Sequence, residues 1–269
     1  MRSTAALAFS LLTLCGLAAA AKEDEYDCLI EARQSLDIRS SVEGVIESLH
    51  VRRGDPVRKG QIIAMLSSGP ERAALEVARS RATMEGELKS AEARVDLTRK
   101  KYERSEELVK KNFVSANARD EAEAEYRLAQ EQVRLAKENR RLAELEVKRA
   151  EEVVSQREIR SPVSGIVVDV ALRPGELTSS NQKEPIMKLV EVDPLNVELI
   201  LPVSAFGRIK RGQHATVMPE APLGGSYAAR VEIVDPNFDA ASGTFGVRLT
   251  LPNPQRRIPA GLKCRARFS

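Results

Sequence analysis

From about Pro70 to Glu158 the small and apolar residues recur in alternating steps of three and four. On the first stretch the series runs Ala74, Val77, Arg81, Met84, Leu88, Ala91, Val95, Thr98, Tyr102, Ser105 and Val109. After an interruption it resumes as Ser115, Arg119, Ala122, Tyr126, Ala129, Val133, Ala136, Arg140, Ala143, Val147, Ala150 and Val154. The positions between are filled largely by Glu, Arg, Lys, Ala and Leu, which are strong helix formers, and Gly86 is the sole interior glycine. A seam of this period predicts a coiled coil of two helical arms, each on the order of 60 Å long at about 1.5 Å per residue. A second row, Leu128, Leu135 and Leu142, lies beside the seam of the second arm. It either widens the contact between the arms or faces neighbouring copies of the chain.

The interruption reads "RSEELVKKNFVSANARD", Arg104 to Asp120. Lys110 and Lys111 suit a helix C-terminus, where cations meet the exposed carbonyls. Asn112 tolerates the left-handed conformation that ends helices. Ser115 or Asn117 can cap the next helix, with Asp120 in its opening turn. The stretch therefore predicts a hairpin tip near residues 110–117. Phe113 and Val114 have little of their own protein to bury against there. They predict either a docking surface or a hydrophobic staple over the helix end.

On either side of the helical segment the period falls to two. "SSVEGVIESLHVRRGDPVRKGQIIAML" (Ser40 to Leu66) matches "SPVSGIVVDVALRPGELTSSNQKEPIMKL" (Ser161 to Leu189) at a constant offset of 121 residues. Val42 pairs with Val163, Gly44 with Gly165, Val45 with Ile166, Gly54 with Gly175 and Asp55 with Glu176. Each copy reads as strand, turn, strand, with the four glycines expected at turns that need positive φ. Neither copy can bury a core alone, so residues 40–69 and 159–193 are expected to form one small flattened β-sandwich. That pairing brings residues 69 and 160 together and makes the inserted arms, residues 70–158, antiparallel. Beyond "VEVDPL" several short strands separated by Gly and Pro turns predict a small β-barrel over residues 194–269, with residues 22–39 adding a strand. The fold class is thus mixed α and β, elongated, with a hairpin inserted in a split sandwich and followed by a barrel.

Composition and the chain's first residues narrow the setting. "MRSTAALAFSLLTLCGLAAAAK" has Arg2, an apolar core and a run of alanines, the layout of a secretory signal peptide over residues 1–21. Lipid anchoring at Cys15 is left open, although Leu14 before it is large for that chemistry. With that segment removed Cys28 and Cys264 remain, and an even pair in an oxidising compartment invites a disulfide, two buried thiols being the alternative. The 42 basic and 39 acidic residues are nearly balanced, and aromatics are scarce, which argues against nucleic-acid binding. His50 and His214 are the only histidines, and Met65, Met84, Met187 and Met218 are scattered, so no metal or catalytic constellation emerges. "PLGGS" (Pro222 to Ser226) is expected to be a hairpin loop, not a phosphate cradle. Neither cofactor nor enzymatic activity is expected.

The two sandwich halves resemble a lipoyl/biotinyl carrier domain. Carrier enzymes present an acylated lysine between the halves, whereas here "SSGPERAAL" leads into the insertion and no such lysine triplet is present. The spacing Arg104-x3-Leu108-x6-Ser115, at the turn of a coiled coil inside a split lipoyl-like domain, resembles the periplasmic adaptor subunits of tripartite efflux pumps, also called membrane fusion proteins. "GTFGVRLTLPNPQRRIPAGLKCRARF" is similar to that family's barrel, where the added N-terminal strand brings Cys28 near Cys264 and favours the bridge. The resemblance implies that Arg104, Leu108 and Ser115, with Phe113 and Asp120 beside them, meet an outer-membrane channel. It further implies an inner-membrane transporter of the resistance-nodulation-division type, a periplasmic location and a homo-oligomeric, hexameric ring. Within this class the alternative is the adaptor of an ATP-driven exporter or type I secretion system. Outside it stand a biotin or lipoyl carrier, which an acylated lysine would reveal, and a small-molecule binding protein.

Overall fold

The computed structural model describes residues 25–179 and 184–269, so the signal-peptide segment and Cys15 lie outside the described residues. In chain order the elements are β1 (Glu25–Ile38), β2 (Gly44–Leu49), β3 (Pro56–Val57), β4 (Ile62–Leu66), α1 (Gly69–Ala82), α2 (Gly86–Lys110) and α3 (Ala116–Ser155). They continue with β5 (Glu158–Arg160), β6 (Gly165–Val170), β7 (Leu177–Thr178), β8 (Met187–Pro202), β9 (His214–Pro219), β10 (Tyr227–Asp239), β11 (Thr244–Leu251) and β12 (Leu262–Phe268). The chain divides into two compact units, Gln34–Glu191 and the remainder, with β1 and β8 each contributing to both.

In the unit Gln34–Glu191 the sequence repeat becomes reciprocal hydrogen bonding. The Gly54 amide donates to the Val167 carbonyl (2.8 Å), and the equivalent Gly175 amide donates to that of Ile46 (2.8 Å). The return bonds, Val167 N–H to Asp55 O (3.0 Å) and Ile46 N–H to Glu176 O (2.9 Å), repeat the same relation. Each half thus lends its turn to the other half's strand. Acceptors inside the turns match as well: Asp55 takes the Arg52 amide and Glu176 the Arg173 amide, both at 2.8 Å. Between the halves lies a core that includes Ile46, Val57, Ile63, Leu66, Val167, Ile186, Met187 and Leu189.

The four repeat glycines divide into two kinds. Gly54 and Gly175 sit at the turns with φ of +94° and +93°, which a side chain would strain. Gly44 and Gly165 are not turn residues; they open β2 and β6, and what they supply is space. A Cβ at Gly165 would overlap the Val190 carbonyl oxygen, and one at Gly44 would stand 2.8 Å from Nη1 of Arg157. That guanidinium donates to Glu43 O at 2.6 Å and pairs with Glu71, tying the start of α1 to the end of α3.

The helices of this unit pair antiparallel, with Arg79 opposite Glu151 (3.0 Å), Asn139 opposite Glu87 (3.1 Å) and Lys101 opposite Glu125 (2.8 Å). From Leu88 onward the inward residues follow the seam read from sequence, and Ala122, Ala129 and Ala136 are almost wholly buried. Before that point the seam differs. Leu75 and Ala78 are buried, whereas Val77 and Met84 are exposed, and the arm is broken at residues 83–85. The cause is local: an unbroken continuation of the Leu75–Ala78–Ala82 phase would carry Glu85, Lys89, Glu92 and Asp96 inward. The break resets the phase by one residue and turns Leu88, Ala91 and Val95 inward instead. Thr83 ends α1, its hydroxyl donating to Ser80 O (2.9 Å), and glycine opens α2. Leu128, Leu135 and Leu142 do not widen the contact between the arms; they are 66%, 55% and 59% exposed.

The other unit is a barrel. Its strands follow the order β1-β12-β9-β10-β11-β8, and β1 also pairs with β8. Alternation along β8 and β11 buries Leu195, Val197, Leu199, Leu201, Val247, Leu249 and Leu251. Cys28 and Cys264 are direct partners on β1 and β12, their Cα atoms 4.8 Å apart, and are joined by a disulfide. Asn253 is buried and ties the β11–β12 loop by donating to Val192 O (3.0 Å) and Ile258 O (2.8 Å).

Replacing Gly165 with alanine is expected to cost about 2–3 kcal/mol in denaturant unfolding, against under about 1 kcal/mol for Gly69→Ala, which meets open space. Reducing Cys28–Cys264, which closes a loop of sequence separation 236, should lower the melting temperature and cost about 2–5 kcal/mol by calorimetry.

Candidate docking site at the hairpin tip

The turn between α2 and α3 is built by its own sequence. Asn112 takes a left-handed φ of +61°, the conformation expected of asparagine after a helix end. Its amide donates to Val109 O (2.9 Å), and the next amide, of Phe113, reaches back to Leu108 O (2.9 Å). This double closure is a Schellman motif, and it brings the backbones of Phe113 and Leu108 together. Ser115 then caps α3, its hydroxyl oxygen accepting the Ala118 amide at 3.4 Å. The staple alternative would need an apolar residue at the fourth position of α3, which is Arg119. Phe113 is accordingly 73% exposed and Leu108 40% exposed.

The remaining candidates are distributed around this apolar pair. Arg104 lies one turn before Leu108 on α2, exposed, with Nε donating to Lys100 O (3.2 Å). Asp120 is occupied locally, accepting from Nη2 of Arg119 at 2.6 Å and raising that arginine above its usual value through the hydrogen bond. Lys110 pairs with Glu106 (3.4 Å). Immediately below the tip the rings of Tyr102 and Tyr126 stack with centroids 6.2 Å apart, bracing the two helices where the seam is otherwise small. Both tyrosines belong to the seam read from sequence, but period alone does not say that they meet face to face. The turn therefore offers an exposed Leu–Phe pair flanked by a guanidinium, on a backbone pinned from both sides. Among the described residues no group of acidic, histidine or cysteine side chains could hold a metal.

Residues 34–186 match the family described as CzcB-like, barrel-sandwich hybrid domain, and residues 195–269 the CusB-like, beta-barrel domain. Among curated proteins the chain is similar to multidrug resistance protein MdtE of Escherichia coli, at 26% identity over 84% of this chain and 58% of that protein. It is also similar to the pyoverdine export membrane fusion protein PvdR of Pseudomonas aeruginosa, at 30% identity over 69% of this chain and 48% of that one. The chain thus spans about half the length of the curated relatives it matches. Among solved structures, MacA from Actinobacillus actinomycetemcomitans shares the fold with a TM-score of 0.73 and 22% identity, over 92% of this chain and 79% of that one.

Removing the cap with Ser115→Ala should cost about 1 kcal/mol of stability. Phe113→Ala, at a side chain that is 73% exposed, should change the free energy of unfolding by no more than about 0.5 kcal/mol.

Proposed function

Because the chain belongs to the membrane fusion protein family, the periplasmic adaptors of tripartite efflux pumps, we propose that it links an inner-membrane efflux transporter to an outer-membrane channel. The observation that carries this reading is the exposed Leu108–Phe113 pair at a rigid turn, with Arg104 and Ser115 at the spacing described above. A leucine and a phenyl ring suit the groove between helices of a channel protein, and the guanidinium suits its carboxylates or carbonyl ends. Asp120, held by Arg119, has a supporting place in this contact. Function here lies in holding partners in line, without catalysis.

The finer architecture follows the same reading. The paired arms act as a coiled coil, and the two reciprocal halves act as a lipoyl-like mount that emits and recovers it. The working division is residues 22–39 with 194–269 for the barrel, 40–69 with 159–193 for the mount, and 70–158 for the hairpin. Leu128, Leu135 and Leu142, exposed at seven-residue spacing, suit the side of a neighbouring copy in a hexameric ring. The transporter is of the resistance-nodulation-division type, and residues 1–21 direct the chain to the periplasm, whose oxidising chemistry suits the disulfide. No helix among the described residues is long and apolar enough to cross a membrane.

Arg104→Asp or Leu108→Asp should reduce export by the assembled pump to the level of a strain lacking this chain, while secretion and melting temperature stay unchanged. Export retained in both variants would remove the tip from the reading. Leu135→Glu should lower the oligomer mass seen by analytical ultracentrifugation without unfolding the protomer, and an unchanged mass would place the ring contact elsewhere.

A further inference from the structure

One kind of turn occurs four times among the described residues, at Arg52–Asp55, Arg58–Gln61, Arg173–Glu176 and Lys210–Gln213. A basic residue opens it, a left-handed glycine stands third, and the side chain of the fourth residue accepts the amide of the first. The glycine amide and the fourth residue's carbonyl then clasp one residue of a distant segment. In the last copy that residue is Val231, with Gly212 N–H donating to Val231 O (2.8 Å) and Val231 N–H to Gln213 O (2.9 Å). The first three copies build the sandwich. The fourth fixes the turn before β9 against β10 of the barrel.

This turn forms one wall of a groove of about 730 Å³ on the barrel, whose polar lining is Arg211, His214, Arg230, Glu232 and Thr250. Strand register explains the grouping. His214 and Thr250 are the direct partners of Arg230 on the neighbouring strands β9 and β11, so the three stand in a row on one face. Arg230 lies across the turn: its Nε donates to Gly212 O (3.0 Å), and a Cβ on Gly212 would stand 3.3 Å from its Nη2. Neither Arg230 nor Arg211 has an ion pair among the described residues, whereas Arg248 and Arg265 of the same barrel are matched by Glu198 and Glu25. Glu232 accepts the Thr250 hydroxyl at Oε2 (2.8 Å), which leaves Oε1 to accept from another donor. Two guanidiniums, an imidazole and one carboxylate make the groove net positive, and Ala228 and Pro252 supply apolar ground beside them.

We propose that this groove binds a small organic carboxylate that carries a hydroxyl beside its charge and an apolar body. Arg211 and Arg230 take the carboxylate, Glu232 Oε1 accepts from the hydroxyl, and the body lies on Ala228 and Pro252. A volume in the range of small-molecule sites favours a free ligand over a protein side chain. Planar guanidinium forks suit carboxylate and phosphate alike. Glu232 decides between them, because a phosphate dianion would meet its negative charge whereas a hydroxylated monoanion satisfies it. The site stands apart from the hairpin tip and adds ligand binding to the adaptor role.

The two histidines of the chain make a direct probe, because His214 lines the groove and His50 belongs to the other unit. The ring Cε1 protons of the processed chain, assigned with His50→Gln, would be followed by NMR as mandelate is added at constant ionic strength. The expected result is a saturable shift of the His214 signal while that of His50 stays still. Mandelamide, which lacks the charge, should give no shift. Phenylacetate, which lacks the hydroxyl, and phenyl phosphate should each bind about 10-fold more weakly than mandelate. Arg211→Gln and Arg230→Gln should each weaken mandelate binding by about 10-fold, and Glu232→Ala should abolish the preference for mandelate over phenylacetate. Melting curves report that every variant is folded. The proposal is overturned by no saturable His214 shift, by an equal shift with mandelamide, by phenylacetate or phenyl phosphate binding as tightly as mandelate, or by undiminished binding in both arginine variants. The export assay on the tip reads a separate site, so either reading can fail while the other stands.

Discussion

The structure rests on the exchange of hydrogen bonds between two halves that lie 121 residues apart in sequence. Gly54 serves the strand of the second half and Gly175 that of the first, with matching return bonds from Val167 and Ile46. Neither half has a core without the other, so folding this unit fixes where the intervening segment must leave and re-enter. Ser68 and Arg157 mark those points, and the Arg157 guanidinium, admitted by the absence of a side chain at Gly44, binds Glu43 and Glu71 across them. The helical hairpin is therefore antiparallel by construction, before any contact along its own length is considered.

Those contacts are modest. The seam centres on Ala122, Ala129 and Ala136, which bury little area each but let the helix axes approach closely. Pairs such as Arg79–Glu151 and Lys101–Glu125 are exposed on both sides, so they align the arms more than they stabilise them. A hairpin of this kind is held at its base and braced near its tip by the stacked Tyr102 and Tyr126. Such a design suits a part whose remaining surface is completed by other molecules, which agrees with leucines left exposed at positions 128, 135 and 142.

Much of this could be read from the residues, because repeat, period and helix-ending chemistry are all local or self-referential signals. The match of Ser40–Leu66 to Ser161–Leu189 paired the halves, and Asn112 with Ser115 located the turn. What the sequence concealed has a physical pattern. The phase change at residues 83–85 was hidden because Val77 and Met84 satisfy the period as well as Leu75 and Ala78 do. Only the charges that an unbroken phase would carry inward decide between them. The spatial role of Gly44 and Gly165 was hidden because it depends on Arg157 and Val190, which are distant in sequence. The groove on the barrel was invisible for the same reason, since Gly212, Arg230 and Thr250 meet only once the strands pair.

The most direct test uses a cysteine at Phe113 in the processed chain, where Cys28 and Cys264 are already engaged with each other. Crosslinking with a short bifunctional reagent in intact cells, followed by mass spectrometry of the adduct, reports what the turn touches. The expected result is a covalent product with an outer-membrane channel protein, absent when the cysteine is moved to an exposed site on the barrel. A product containing only inner-membrane partners, or none at all while the pump is exporting, would contradict it.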